Sequence, residues 1–110
     1  MTDKIVVLST CASEEEAQNL GRLLLNERLA ACVNVLPGIR SMYHWKGTIE
    51  TSTECLLLIK TSREQFLGVS SALKKVHSYE LPEVLALPVL DGSEEYLEWL
   101  EKHIGPVVPQ

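Results

Sequence analysis

The sequence predicts an α+β domain of the ferredoxin-like kind, with β-α-β-β-α-β order and an added C-terminal helix. Three observations predict it. Short β-branched runs alternate with amphipathic helical stripes. Two S-x-x-E/Q patterns, Ser13 with Glu16 and Ser62 with Gln65, mark helix starts. Lys46-Gly47 sits between two long extended runs, as a two-residue hairpin turn requires.

The elements follow in order. Ile5 to Thr10 is a short buried strand. Ser13 opens a helix that runs to about Arg28, with Ala17, Leu20 and Leu24 on one stripe widened by Leu23. Glu14, Glu15 and Glu16 suit the positive end of its dipole, so the acidic triplet needs no ligand. Ala31 to Leu36 is the second strand. Pro37-Gly38 breaks it as a bend or bulge, and it resumes from Ile39 to Trp45. Thr48 to Thr61 returns. This hairpin is too long for its domain, so its distal half needs another subunit to lie on.

The second helix carries Phe66, Val69, Leu73 and Val76 at i, i+3, i+7 and i+10. His77 to Glu83 is a loop. Val84 to Leu90 is the fourth strand, with Pro88 marking an edge or bulge. Ser93 caps the last helix, which turns Tyr96, Leu97, Leu100 and Ile104 inward and stops at Gly105-Pro106. The last four residues read as a loose tail or a short edge strand. With 110 residues the chain is one domain, residues 1–110.

Composition narrows the function. A net charge of −5 offers no cationic face for nucleic acid. Three cysteines at wide spacing, Cys11, Cys32 and Cys55, form neither a C-x-x-C nor a disulfide framework, and suit a reducing cytosol. No apolar run is long enough to span a bilayer, and Met1 to Lys4 does not resemble a signal peptide, so the expected location is cytoplasmic. No phosphate-binding, dinucleotide, nucleophile-elbow or zincin motif occurs, so the expectation is a non-enzyme without an organic cofactor.

The densest polar cluster is His77, Tyr79, Glu80 and Glu83. Imidazole and carboxylate are donors for borderline ions such as copper or zinc. The same His77 also suits a helix C-terminus, with Glu83 as surface charge. Across the hairpin Tyr43 faces Glu50 and His44 faces Ile49, so His44 is expected as an interface or an exposed residue and not as a ligand. His103 is a dipole charge in the last helical turn. Tyr43 and Trp45 share one face of the arm and are expected against a neighbouring subunit. Glu54, Lys60, Tyr79 and Glu83 could converge in a cleft between subunits.

In order along the chain, Leu29-Ala30-Ala31-Cys32-Val33-Asn34, Pro37-Gly38, Tyr43-His44-Trp45-Lys46-Gly47, Glu54, Lys60-Thr61, the loop His77 to Glu83, and Tyr96-Leu97-Glu98-Trp99 resemble the CutA family of divalent-cation tolerance proteins. The resemblance implies a tight homotrimer with the long hairpin packed on neighbours, and a role in tolerance to divalent ions, including copper. It implies a histidine ligand in the loop after the second helix, which is His77 here. It also implicates a cysteine near the end of the first strand. That position is Ser9 here, with Cys11 two residues on. The expected metal set is therefore His77, Glu83 and Cys11, holding copper or zinc weakly in an open site. The expected interface set is Tyr43, Trp45, Glu54, Lys60 and Tyr79. A small-ligand signalling trimer of the PII type is the alternative. An enzyme ranks third.

Overall fold

Alternation along the first strand sets the layers of the molecule. In a computed structural model that describes residues 1–107, β1 (Lys4–Cys11) buries Ile5, Val7, Ser9 and Cys11 on one face. β3 (Thr48–Ser62) runs antiparallel beside it and buries Cys55, Leu57, Ile59 and Thr61 on the same face. The buried stripes Ala17, Leu20 and Leu24 of α1 (Glu14–Asn26) and Val69 and Leu73 of α2 (Phe66–Val76) close over these rows. Burial of this apolar surface, at roughly 25 cal/mol per Å², is the main force holding the layers together.

β2 (Cys32–Trp45) and β4 (Leu85–Pro88) complete a four-stranded antiparallel sheet in the order β2-β3-β1-β4. This is the ferredoxin-like arrangement expected. Pro37-Gly38 is the expected irregularity: the register shifts between Leu36 and Ile39, and Gly38 takes φ +74°. Lys46 and Gly47 both have positive φ, the signature of a type I′ turn, and Tyr43 stands opposite Glu50 as expected. β1 pairs with β3 only as far as the Cys11–Cys55 rung. Beyond it β2 and β3 run on as a free two-stranded arm. The arm stretches the molecule to 44 Å along its longest axis. The radius of gyration is 14.4 Å, against about 13 Å for a compact chain of this length.

α3 (Glu94–His103) lies over the opposite face of the sheet. Lys4 points that way and is buried, with its ammonium 2.6 Å from Glu101 and 2.7 Å from Asp3. The rest of that face, including Val6, Leu8, Leu56 and Leu58, is only half-buried.

Four sequence expectations are corrected. Ser62 makes no capping bond, and a 3-10 turn, Arg63–Gln65, precedes α2. The Gln65 amide instead donates to the Gly105 carbonyl at 2.7 Å, a partner no local pattern reveals. α1 ends at Asn26, two residues early, because Arg28 takes φ +56°. The fourth strand is shorter than expected, pairing with β1 as a ladder only over Leu85–Pro88, opposite Ile5 to Leu8, with one further bond from Val89 N–H to the Lys4 carbonyl at 3.0 Å. Tyr96 stays 42% exposed while Leu100 is buried, because α3 meets the sheet along a narrow line. Of the expected tail, only Val107 lies within the described residues.

A candidate cation-binding groove

The arm and the loop after α2 enclose an open groove of about 820 Å³. Tyr43, His44, Trp45, Glu50 and Glu54 line it from the arm. Tyr79, Glu80 and Glu83 line it from the loop. Among the described residues lining it there are four glutamates and no lysine or arginine. Clustered carboxylates with no countercharge concentrate cations.

Several bonds fix the groove walls. The Tyr79 hydroxyl donates to Glu54 Oε2 at 2.7 Å, tying loop to β3. Glu54 is 7% exposed, so this bond satisfies a buried carboxylate. Burial, and then the Glu54 carboxylate, push the Tyr79 hydroxyl well above the usual phenol range. Tyr43 Oη lies 3.2 Å from Ser52 Oγ, and Thr48 Oγ1 lies 3.0 Å from Glu50 Oε2. Both contacts steady the arm near its tip.

His77 anchors the start of the loop, at the C-terminal end of α2. Its side chain has no exposed surface. Nε2 lies 2.8 Å from the Thr10 carbonyl, which only accepts, so Nε2 carries the proton. Nδ1 then accepts the Tyr79 backbone N–H at 3.0 Å. The ring is neutral in this arrangement, and both nitrogens are engaged. Glu16 completes the clasp. Its carboxylate accepts from Ser78 N–H at 2.8 Å, from the Ser78 hydroxyl at 2.9 Å and from Ala12 N–H at 3.2 Å. Burial pushes the Glu16 carboxyl up, but these three donors outweigh it and hold it below the ordinary range. Sequence reasoning assigned Glu16 to the helix dipole and missed the loop, because Ser78 lies far along the chain.

The predicted residues separate into four places, and fully buried His77 does not itself line the groove. Tyr43, Trp45, Glu54, Tyr79 and Glu83 come together at the groove. Cys11 does not line it. It is fully buried on the helix side of the sheet, where burial pushes its thiol up to about 11 and its Sγ lies 3.5 Å from the Ser13 carbonyl. Lys60 is on the other face, with its ammonium 3.4 Å from Tyr96 Oη and 5.5 Å from the Tyr96 ring centre. Among the described residues no three His, Cys, Asp or Glu side chains are grouped to hold a metal within one chain. The donors fit an open, carboxylate-lined docking place. They do not form a closed coordination shell.

Comparison with known proteins places this geometry. A model of the family described as "CutA1 divalent ion tolerance protein" matches residues 5–103. The "Divalent-cation tolerance protein CutA" of Thermus thermophilus is 45% identical over 100 residues, covering 91% of this chain and 97% of that protein. The crystal structure of CutA1 from Oryza sativa superposes with a TM-score of 0.92 at 40% identity, over 94% of this chain and 95% of that one. A structure titled "Periplasmic divalent cation tolerance protein CutA", from Archaeoglobus fulgidus, superposes with a TM-score of 0.90 at 37% identity, over 93% of this chain and 99% of that one.

Proposed function

This chain belongs to the CutA1 divalent ion tolerance family, and from that premise we propose that it acts as a homotrimer that takes up a divalent cation at the groove between arm and loop. One observation carries the reading: among the described residues lining the groove there are four glutamates and no lysine or arginine. Carboxylate oxygens with an imidazole nearby suit a borderline ion, copper(II) or zinc. Glu83 is the proposed carboxylate ligand and His77 the proposed imidazole. Releasing the Tyr79 N–H would free Nδ1, so uptake is coupled to movement of the loop. Remaining positions go to water or to a second subunit, which gives modest affinity and easy exchange.

The trimer is supported by the protruding arm, whose Met42 and Ile49 are 75% and 71% exposed. Edge strand β4 adds exposed Leu85 and Leu87. Apolar surface on this scale needs a partner. A cytoplasmic location is part of the proposal, supported by the free cysteines. Among the described residues no helix is long and apolar enough to cross a membrane.

The names of the relatives concern divalent ions, so small-ligand signalling is not favoured. Calorimetry with copper(II) and zinc in a non-chelating buffer, beside a thermal-shift panel of metabolites, tests the choice. Saturable ion binding with no metabolite shift is expected. A metabolite shift without ion binding would reverse the assignment.

A further inference from the structure

Away from the groove, a short exposed turn joins β4 to α3. The chain has two aspartates, Asp3 and Asp91, and three asparagines, Asn19, Asn26 and Asn34. Of these five residues only Asp91 precedes a glycine, Gly92. Glycine has no Cβ, so its amide nitrogen can come close to the carboxyl of the residue before it.

The structure places the two groups together. Gly92 N–H donates to Asp91 Oδ1 at 2.9 Å. Cγ is the atom bonded to that oxygen, so the amide nitrogen sits beside the carbon it would attack. Among the described residues this N–H has no main-chain acceptor, and residues 89–93 belong to no helix or strand. The turn therefore lacks the ladder bonds that would hold the nitrogen elsewhere. Both residues are exposed, which admits water. Asp3 is the contrast within the same chain. Its carboxylate accepts from the Lys4 ammonium at 2.7 Å, and the residue after it carries a long side chain.

We propose that Asp91–Gly92 is a site of spontaneous isoaspartyl formation, and that the altered linkage loosens α3. The step needs no co-reactant. The Gly92 nitrogen bonds to Asp91 Cγ, and the Cγ–OH bond of the protonated carboxyl breaks. The hydroxyl leaves as water with the amide hydrogen, and a cyclic imide remains. Water then adds back at either imide carbonyl. Opening at one restores aspartate. Opening at the other routes the main chain through Cβ and Cγ, which adds a methylene to it just before α3. Two contacts feel that change. Ser93 caps α3 by accepting from Tyr96 N–H at 3.3 Å. Leu97 packs so closely on the turn that a Cβ at Gly92 would stand 3.3 Å from its Cδ2. Leu100 is the buried residue of α3, and it lies beyond the first turn. A lengthened turn thus shifts the cap and the start of the helix, while the Lys4–Glu101 ion pair holds its far end. The aged chain becomes a substrate for the class of repair enzyme that methylates isoaspartyl carboxyls.

The test incubates the whole protein at physiological temperature and mildly acidic pH, beside the same chain unfolded in urea. Peptides are then mapped by electron-transfer fragmentation, which separates isoaspartate from aspartate. Isoaspartate should accumulate at position 91 and not at position 3, at similar rates in native and unfolded chains. A fold that kept the reacting atoms apart would slow the native chain by about a hundredfold, and that result overturns the proposal. An isoaspartyl-specific carboxyl methyltransferase with a labelled methyl donor should label aged wild type and fail to label aged Asp91→Glu, whose imide ring would be one atom larger and slow to close. Equal labelling of both proteins places the change elsewhere and overturns the assignment. Hydrogen exchange on aged and fresh wild type reads the effect on α3. Its amides should exchange about fivefold faster in the isomerised fraction, the effect of a lost N-cap on a local equilibrium, with α1 unchanged. Identical α3 exchange in fresh and isomerised protein would overturn the loosening.

Discussion

The Tyr79 hydroxyl reaches 2.7 Å across the base of the groove to Glu54, a carboxylate with 7% of its surface exposed. One bond thus holds the loop after α2 against β3 where β3 leaves the sheet to form the arm. Tyr79→Phe removes the donor and keeps the ring. It should cost about 1.5–3 kcal/mol, the range for a hydrogen bond to a charged group. Glu54→Gln in the Tyr79→Phe background should cost less than the two changes separately, because the partners act as a unit. Chemical denaturation of the four proteins measures this. Strict additivity would mean that the bond does not hold the loop.

Glu16 sets the acid limit of the same clasp. Its folded-state carboxyl lies below the ordinary range. A depressed carboxyl stabilises the fold above its unfolded value, about 4.3, and that contribution disappears as pH falls through the lower folded value. Glu16→Gln should therefore be less stable than wild type at pH 7, with the gap closing below about pH 4. A gap that stays constant from pH 7 to pH 3 would assign the effect to lost packing and not to charge.

The arm is expected to hold the assembly. Tyr43 and Trp45 are 42% and 37% exposed at its tip. Buried aromatic anchors at interfaces are worth about 2 kcal/mol or more each, and 1.4 kcal/mol is a tenfold change in dissociation. Tyr43→Ala with Trp45→Ala should shift the trimer toward monomer by more than about a hundredfold. Sedimentation at low micromolar concentration reads this out. Wild type sedimenting as a 12.3 kDa species would refute the trimer itself.

The fold was legible where short-range chemistry decides it. Gly47, free to take φ +85°, fixes the turn, and the turn fixes every rung from Tyr43–Glu50 back to Ile39–Glu54. Ser13 caps α1 by accepting from Glu16 N–H at 3.1 Å, as its pattern predicts. Long-range partners were not legible. Gln65 looks like half of a capping box until Gly105 folds over it. His77 looks like an available ligand until the Thr10 carbonyl, 67 residues away, claims Nε2. The Cys11–Cys55 rung follows from the pairing of β1 with β3, which no local spacing states. The groove was half legible: its residues were named, but Glu50 was seen only as a cross-strand partner, and Lys60 was placed with Tyr79 although it stands beside Tyr96, six residues along β3 from the Glu54 that Tyr79 bonds.

The groove as a cation site is tested most directly by calorimetric titration of copper(II) and zinc into wild type, His77→Ala and Glu83→Gln under identical conditions. Wild type should bind with modest affinity and stay folded and assembled when the ion is chelated, since the ion completes no structural core. Both variants should bind more weakly, and His77→Ala should also loosen the loop through loss of its bonds to Thr10 and Tyr79. Equal stoichiometry and affinity in all three proteins would contradict the assignment of the cation to this groove.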